Sequence, residues 1–306
     1  GYPQIKTMSK RNKKYKGPKA PKRPESFHNF VDCLKWLKKS VYVVVRGRKT
    51  IIEEKEAINW ITLGTGFVAA PNRFLTAGHV INDPDKGDVF KHQEGDKYYL
   101  LRHDDDDQWH YRIFEPKLDK EIFVYPDVDL AIIYLDEEFY KSGEKIFADK
   151  NDFIRISKDF LPIGTAVGVL GFPLTKLEFE DRDINKPRIG NILLRTDQGV
   201  INCRYKTSEK HSFYEFTMAF NPGNSGGPIF DIKTGRVVSI VKGYRASQIN
   251  TKEVPISEEG TKQLKIYKEK AFIEVLHATY SMGFATPSFL EILKQLLTQQ
   301  ISCCRT

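Results

Sequence analysis

A serine enclosed by glycines lies in residues 221–228, NPGNSGGP. Glycine lets the backbone adopt unusual dihedral angles and lets another segment approach closely. In such a turn the hydroxyl of Ser225 can project outward, while neighbouring backbone N–H groups converge on the oxyanion that forms during acyl transfer. The candidate donors are the N–H groups of Gly223, Asn224 and Ser225. Taken alone, the same composition is also typical of a surface turn.

A serine hydroxyl is a poor nucleophile until a base takes its proton. The candidate base is His79, in residues 75–80 (LTAGHV), where small residues follow a predicted strand. A carboxylate would then orient the imidazole and stabilise its cation. Asp129 immediately precedes the apolar run 130–133, and an acid at a buried strand end costs free energy unless it is paired. Asp127 is the alternative, and the position of Asp129 next to the buried run favours Asp129.

The elements that must position these residues are short β-rich runs separated by turn residues. Because no helices intervene, the spacing predicts an all-β sandwich or barrel. The predicted strands are 41–45, 58–63, 66–70, 73–76, 98–101, 111–114, 130–135, 166–171, 189–194, 200–205, 213–217, 228–232 and 237–241.

Two segments have helical periodicity instead. Apolar residues from Phe27 to Val41 recur at helical spacing after Ser26, which is a candidate N-cap. Near the other end, Thr286 can cap a helix that has Pro287 at its first position and one apolar stripe beyond it.

The order of His79, Asp129 and Ser225, with spacings of 50 and 96 residues, resembles the trypsin/chymotrypsin superfamily of serine proteases. Residues 76–79 (TAGH) look like its histidine signature, and residues 223–228 look like its serine signature.

Three further features are similar to the HtrA (Deg) branch of that superfamily. They are residues 64–67 (GTGF), Asn224 ahead of the serine, and residues 283–288 (GFATPS) before the final predicted helix. That branch usually carries PDZ domains after the protease, and we expect none here because the chain stops at Thr306.

The resemblance implies a chymotrypsin-like fold of two six-stranded antiparallel β-barrels. The protease domain is expected over residues 26–306, after a disordered basic tail over residues 1–25. The first barrel would occupy about 41–137, the second about 160–286, and a C-terminal α-helix 287–300.

The function implied is a cofactor-free serine endopeptidase acting on protein or peptide substrates. His79 would act as general base and then general acid, Asp129 would orient it, and Ser225 would attack. The alternative is a peptide-binding or chaperone-like protein on a latent protease fold. The resemblance also implies a homotrimer, although the N-terminal segment that would form its contacts is altered.

The resemblance also assigns substrate contacts. The residue six before the serine lies at the base of the primary specificity pocket, which here is Ala219 beside Phe220. Because no Asp stands there, a buried substrate cation would be unpaired, and we expect cleavage after small or medium apolar residues. The substrate-pairing strand edge would be formed by Val241, Lys242 and Gly243, with Phe284 near the pocket.

The connection between the strand edge and the final strand is long for this fold. Residues 244–282 are expected to form either a lid or regulatory loop or a neutral surface insertion. The acidic run 104–107, with His103 and His110 nearby, has no ligand spacing of a known metal site and is predicted to be a solvated loop.

Charge is concentrated at the N-terminus. Residues 1–24 contain nine Lys or Arg residues and no Asp or Glu, so the remaining chain carries a net charge of −1 although the whole chain carries +8. The basic residues within 6–23 could bind nucleic acid or an anionic surface, or they could simply solubilise a disordered extension.

The four cysteines are too few for a disulfide framework, and no apolar run is long enough for a membrane span or secretory signal. We therefore expect a cytoplasmic protein. A nuclear location in a eukaryote, and a targeting peptide already removed, are the alternatives.

Overall fold

The computed structural model describes fifteen stretches of the chain. They are residues 23–52, 54–83, 87–88, 90–103, 109–114, 121–135, 152–173, 178–179, 187–188, 193–206, 211–248, 252–254, 271–273, 276–290 and 292. Several predicted segments lie outside them: the basic tail up to residue 22, the acidic run 104–107, and the final helix beyond residue 292.

The N-terminal half is a seven-stranded antiparallel sheet, in which the order of strands is β5-β4-β1-β2-β3-β7-β6. The first residues of β1, from Val41 to Val45, are all almost fully buried, so this strand is covered on both faces of the sheet. The strands are β1 (Val41–Ile52), β2 (Lys55–Ala70), β3 (Arg73–Ala77), β4 (Lys97–His103), β5 (Trp109–Phe114), β6 (Ile122–Tyr125) and β7 (Leu130–Tyr134).

The C-terminal half contains a closed barrel of six antiparallel strands, in the order β11-β12-β17-β14-β13-β8. The remaining four short strands form two separate pairs, β9 with β10 and β15 with β16, and the second pair lies in the long connection. The strands are β8 (Ala166–Gly171), β9 (Glu178–Phe179), β10 (Pro187–Arg188), β11 (Arg195–Lys206), β12 (Ser212–Phe216), β13 (Pro228–Asp231), β14 (Val237–Gln248), β15 (Lys252–Val254), β16 (Ala271–Ile273) and β17 (Leu276–Ala285).

The predicted all-β class is confirmed, and the two halves agree with a chymotrypsin-like double barrel. The six-stranded barrel is found in the C-terminal half, whereas the N-terminal half has seven strands rather than six. The predicted runs 58–63 and 66–70 form the single strand β2. A bulge at Leu63, opposite Val44 and Val45 of β1, lets the strand continue through both runs.

The segment before β1 crosses the outside of the C-terminal barrel. Arg23 donates hydrogen bonds to the carbonyls of Phe153 (3.1 Å) and Gly235 (2.7 Å), and the N–H of Phe27 donates to the carbonyl of Lys233 at 2.7 Å. Arg23 therefore lies against the folded domain, which corrects its assignment to a free basic tail.

Helix α1 spans Phe30–Leu37 and begins later than predicted. Its N-cap is Asn29, whose side chain accepts from the N–H of Asp32 at 2.9 Å, not Ser26. The start is displaced because Phe27 is still bonded to the barrel. Within the helix, Cys33 is fully buried, and Phe30 stacks on Phe230 of the barrel with ring centroids 6.1 Å apart.

The final predicted helix begins with a 3-10 turn, Thr286–Ser288. The position before it is occupied by Ala285, and Thr286 does not cap it. The hydroxyl of Thr286 is buried and donates to the carbonyl of Ser157 at 3.0 Å. The hydroxyl that was predicted to cap the helix therefore forms a tertiary hydrogen bond instead.

Candidate active site

His79 lies on α2 (Gly78–Ile81), a single helical turn that directly follows β3. Its ring Nδ1 is 2.9 Å from Oδ2 and 3.0 Å from Oδ1 of Asp129. The backbone N–H of His79 also donates to Oδ1 of that carboxylate at 2.9 Å. With Nδ1 protonated and donating to Asp129, the lone pair on Nε2 is left available to accept a proton.

The carboxylate reaches His79 because the backbone turns sharply before β7. A 3-10 turn, Pro126–Val128, ends at Asp129, whose φ of 47° and ψ of 49° are left-handed. This conformation is uncommon outside glycine, although Asp tolerates it better than most residues. Asp127 is exposed in the same turn, so Asp129 is the acid that contacts the imidazole.

Ser225 lies in a tight turn between β12 and β13, as its glycine-rich setting predicts. Gly223 and Gly226 flank it with φ of 99° and 85°. Within the described residues, the N–H groups of Gly223 and Ser225 donate to no protein atom. The N–H of Asn224 closes the turn by donating to the carbonyl of Asn221 at 3.0 Å, which corrects the expectation that it also points to an oxyanion.

The serine turn is attached to the N-terminal sheet through β2. The N–H of Thr65 donates to the carbonyl of Ser225 at 2.8 Å, and the hydroxyl of Thr65 donates to the carbonyl of Gly223 at 2.7 Å. A Cβ at Gly64 would lie 2.6 Å from the carbonyl oxygen of Ser225. The glycine is therefore required for β2 to approach the turn this closely.

His79 and Ser225 line the same cavity, which has a volume of about 290 Å³. Among the described residues, the imidazole of His79 is hydrogen-bonded to Asp129 and not to the hydroxyl of Ser225. Such bonds are often long in the absence of substrate. The other residues around this cavity are Val43, Thr62, Leu63, Gly64, Val80, Phe90, Phe172, Pro222 and Gly223.

His79 also lines a second cavity of about 290 Å³, together with Pro126, Asp129 and Lys242. Lys242 is exposed on β14, and its ammonium lies 4.8 Å from the ring centroid of Phe284. The predicted contact residue Lys242 thus lies beside the His79–Asp129 pair.

The other predicted substrate contacts lie outside the two cavities. Phe220 and Val241 are buried in the barrel core, and Phe284 is buried beneath Lys242. Ala219 is exposed. Gly243 faces open space, because a Cβ added there would meet no atom within 4 Å. None of these five residues lines either cavity beside His79.

Two features of this region were not predicted from the sequence. Phe90 lines the cavity that contains Ser225, although it comes from an irregular segment that carries no motif. The carboxylate of Asp197 accepts from the N–H of Ala219 at 3.2 Å and from the N–H of Gln198 at 2.8 Å, on the exposed side of β11. Only the pairing of β11 with β12 brings Asp197 there, so sequence spacing could not have shown it.

The described part of the chain contains no cluster of His, Cys, Asp or Glu that could hold a metal ion. Within the same residues, no helix is long and apolar enough to cross a membrane.

The sequence model of the family "Trypsin-like peptidase domain" matches residues 64–240, which include His79, Asp129 and Ser225. A search of curated protein sequences found no significant match.

Among solved structures, the fold is similar to the HtrA-type protease AlgW with decapeptide, with a TM-score of 0.52 and 13% sequence identity. The match covers 88% of this chain and 67% of that chain. A match to the active form of the Rv3671c protease from M. tuberculosis has a TM-score of 0.47 and 17% identity, and covers 85% of this chain and 81% of that chain.

Proposed function

Because the chain belongs to the trypsin-like peptidase domain family, we propose that it is a serine endopeptidase that uses His79, Asp129 and Ser225. The observation that carries this proposal is the contact of the His79 Nδ1 with Asp129, together with the cavity that His79 shares with Ser225.

In the proposed reaction, Nε2 of His79 takes the proton of the Ser225 hydroxyl as the oxygen attacks the peptide carbonyl. Collapse of the tetrahedral intermediate breaks the C–N bond, and the imidazolium gives its proton to the departing amine. Water then attacks the acyl-serine with the same base, which releases the acid and restores the hydroxyl. Asp129 holds the imidazole in the required tautomer and stabilises its cation.

The tetrahedral oxyanion needs donors that are not already used. The N–H groups of Gly223 and Ser225 fit that role, since neither has a protein acceptor among the described residues. Removing one donor of this kind typically slows catalysis by about 10²–10³-fold. The hydrogen bonds from Thr65 to the carbonyls of the same two residues hold the turn that carries both N–H groups.

The proposed preference is for small or medium apolar residues before the scissile bond. Ala219 is the residue at the predicted base of the pocket, and it brings no charge. A substrate cation buried there would lack a partner. The carboxylate of Asp197 accepts a hydrogen bond from the backbone N–H of Ala219. Asp197 lies on the exposed side of its strand.

Replacing Ser225 with Ala should reduce kcat by about 10⁶-fold, because the nucleophile and its base act as a unit. The wild-type chain should also be labelled at Ser225 by a fluorophosphonate probe, and the variant should not be. Labelling is read by mass spectrometry of the peptide that contains residue 225. Near-normal turnover in the variant would exclude this mechanism.

The proposed preference is tested by sequencing the products cut from a denatured protein. We expect cuts mainly after small or medium apolar residues, with broad selectivity, since apolar pockets discriminate by only about 1–3 kcal/mol per methylene. Cuts mainly after Lys or Arg would contradict the preference and would direct attention to Asp197.

A further inference from the structure

The two cavities beside His79 differ in which strand lines them. The cavity with Asp129 includes Lys242 of β14, whereas no residue of β14 whose side chain the structure describes lines the cavity with Ser225. An extended peptide that pairs with the edge of β14 would place its acyl half on the Lys242 side. The chain beyond the scissile bond, which leaves as the amine, would then pass over the cavity on the Ser225 side.

The cavity on the Ser225 side has an apolar wall. Leu63, Phe90 and Pro222 line it, together with Phe172, which is almost fully buried. Its volume of about 290 Å³ is at the lower limit of the usual range for small-molecule sites, which is about 300–1,000 Å³. The cavity therefore suits one large apolar side chain better than a cofactor.

Backbone hydrogen bonds hold Phe90 at this wall. Its N–H donates to the carbonyl of Gly87 at 3.0 Å, and its carbonyl accepts from the N–H of Asp83 at 3.1 Å. Asp83 follows α2 closely in sequence, so Phe90 is linked to the turn that carries His79.

Arg48 fixes the backbone on both sides of Phe90. Its guanidinium donates to the carbonyl of Asp88 at 3.1 Å and to the carbonyl of Lys91 at 2.6 Å. The same guanidinium forms a bidentate pair with Asp96, at 2.7 and 2.8 Å. Because the Asp96 side chain is fully buried, the pair sets the orientation of the guanidinium from within the fold.

We propose that Phe90 is a specificity-determining residue that gives the protease a preference for a large apolar residue immediately after the scissile bond, and that Arg48 is the positioning residue that holds it. The inference rests on the proposed serine endopeptidase function. It adds a substrate class on the leaving side of the bond, where the catalytic residues themselves impose no side-chain requirement.

The test compares matched peptides that differ only in the residue after the scissile bond, Leu or Gly. The wild-type protein should cleave the Leu peptide with a kcat/KM about tenfold higher or more. Phe90→Ala should remove most of that ratio, chiefly by lowering kcat/KM for the Leu peptide. Phe160→Ala, which truncates an aromatic ring that is 41% exposed and lines neither cavity, is the matched control and should keep the ratio.

Arg48→Lys keeps the positive charge but loses the bidentate geometry. We expect it to reduce the Leu-to-Gly ratio through KM, with a smaller effect on kcat. A purely structural role would instead lower the activity on both peptides equally. An unchanged ratio in Arg48→Lys would overturn the positioning role, and an unchanged ratio in Phe90→Ala would overturn the specificity role.

A wild-type measurement covers the case in which a variant fails to fold. During turnover of an ester substrate, leucine amide and glycine amide compete with water for the acyl-serine, and the captured amine occupies the leaving side. We expect leucine amide to be captured about tenfold more efficiently. Equal capture would overturn the inference.

Fluorophosphonate labelling separates the two possible failures, because a small probe need not fill the leaving-side cavity. A protein that is labelled at Ser225 and cleaves peptides without a Leu preference retains the proposed function and refutes the inference. A folded wild-type protein that is neither labelled nor active refutes both.

Discussion

At the residue scale, the contact of His79 with Asp129 depends on one unusual backbone conformation. The left-handed φ of Asp129 directs its carboxylate to both the ring and the backbone N–H of His79. A third contact, from the N–H of Gly78 to the carbonyl of Asp129 at 2.9 Å, fixes the backbone of the acid as well. The imidazole therefore has little freedom to choose another tautomer.

We expect Asp129→Asn to reduce kcat by about 10⁴-fold, because an amide can favour the wrong imidazole tautomer without disturbing the fold. Steady-state kinetics on a peptide ester provides the measurement. Asp127→Asn is the matched control, since Asp127 is exposed in the same turn, and it should retain wild-type turnover. Equal losses in the two variants would contradict the assignment of Asp129.

At this scale, the identity of the site residues could be predicted from the sequence, but the orientation of their backbone N–H groups could not. The motifs around His79 and Ser225, and the apolar run after Asp129, single out three residues that the fold brings to one region. The use of the Asn224 N–H within its own turn has no comparable signal, because it depends on the dihedral angles of a glycine-rich segment. Likewise, only the folded barrel shows that Phe220 and Val241 pack into the core.

At the element scale, the segment between α2 and β4 is held by a buried ionic cluster. Asp96 accepts from Arg48, from the N–H of Gln93 at 2.9 Å, and lies 3.7 Å from Arg46. Burial alone would raise the pKa of the Asp96 carboxyl, but the hydrogen bonds from Arg48 and Gln93 hold that pKa below its usual value. The pair with Asp96 also raises the pKa of Arg48.

Replacing Asp96 with Asn should lower the free energy of unfolding near pH 7 by about 3–5 kcal/mol, since it leaves two largely buried guanidinium groups without their carboxylate. Because the folded-state pKa of Asp96 is lowered, its stabilising effect is present above its unfolded-state pKa and is lost as the pH falls through the folded value.

Urea unfolding curves measured from neutral pH down to about pH 3 provide the test. The difference between the wild-type protein and Asp96→Asn should decrease as the solution becomes more acidic. The control Asp127→Asn should change stability little at any pH. A difference that stays constant down to pH 3 would show that the Asp96 charge is not the cause.

Most strands could be predicted from composition, because runs of β-branched and aromatic residues are bounded by turn residues. The extent of each strand could not. β2 continues through Leu63 because a bulge accommodates the extra residue, and β14 extends to Gln248 because β17 pairs with it. The N-cap of α1 moves to Asn29 for a similar reason, since Phe27 is first bound to the barrel.

At the scale of the whole molecule, the N-terminal segment connects the two halves. Arg23 and Phe27 are bonded to the outside of the C-terminal barrel, and α1 then leads directly into β1 of the N-terminal sheet. Thr65 adds hydrogen bonds from that sheet to the serine turn. The halves therefore share contacts at the N-terminal segment and at the active site.

We expect the protein to unfold in a single calorimetric transition, with equal calorimetric and van't Hoff enthalpies, because these shared contacts couple the halves. Differential scanning calorimetry of the full chain provides the measurement. Two resolved transitions would contradict this coupling.

The close approach of β2 to the serine turn has a consequence for protein engineering. The nucleophile is contributed by one half of the molecule, but the hydrogen bonds that set its backbone come from the other half. A chimaera that joins the N-terminal half of this protein to the C-terminal half of a distant relative could fold correctly in each part and still be a poor catalyst. An active chimaera would need residues 64–65 and 223–226 to come from the same parent protein.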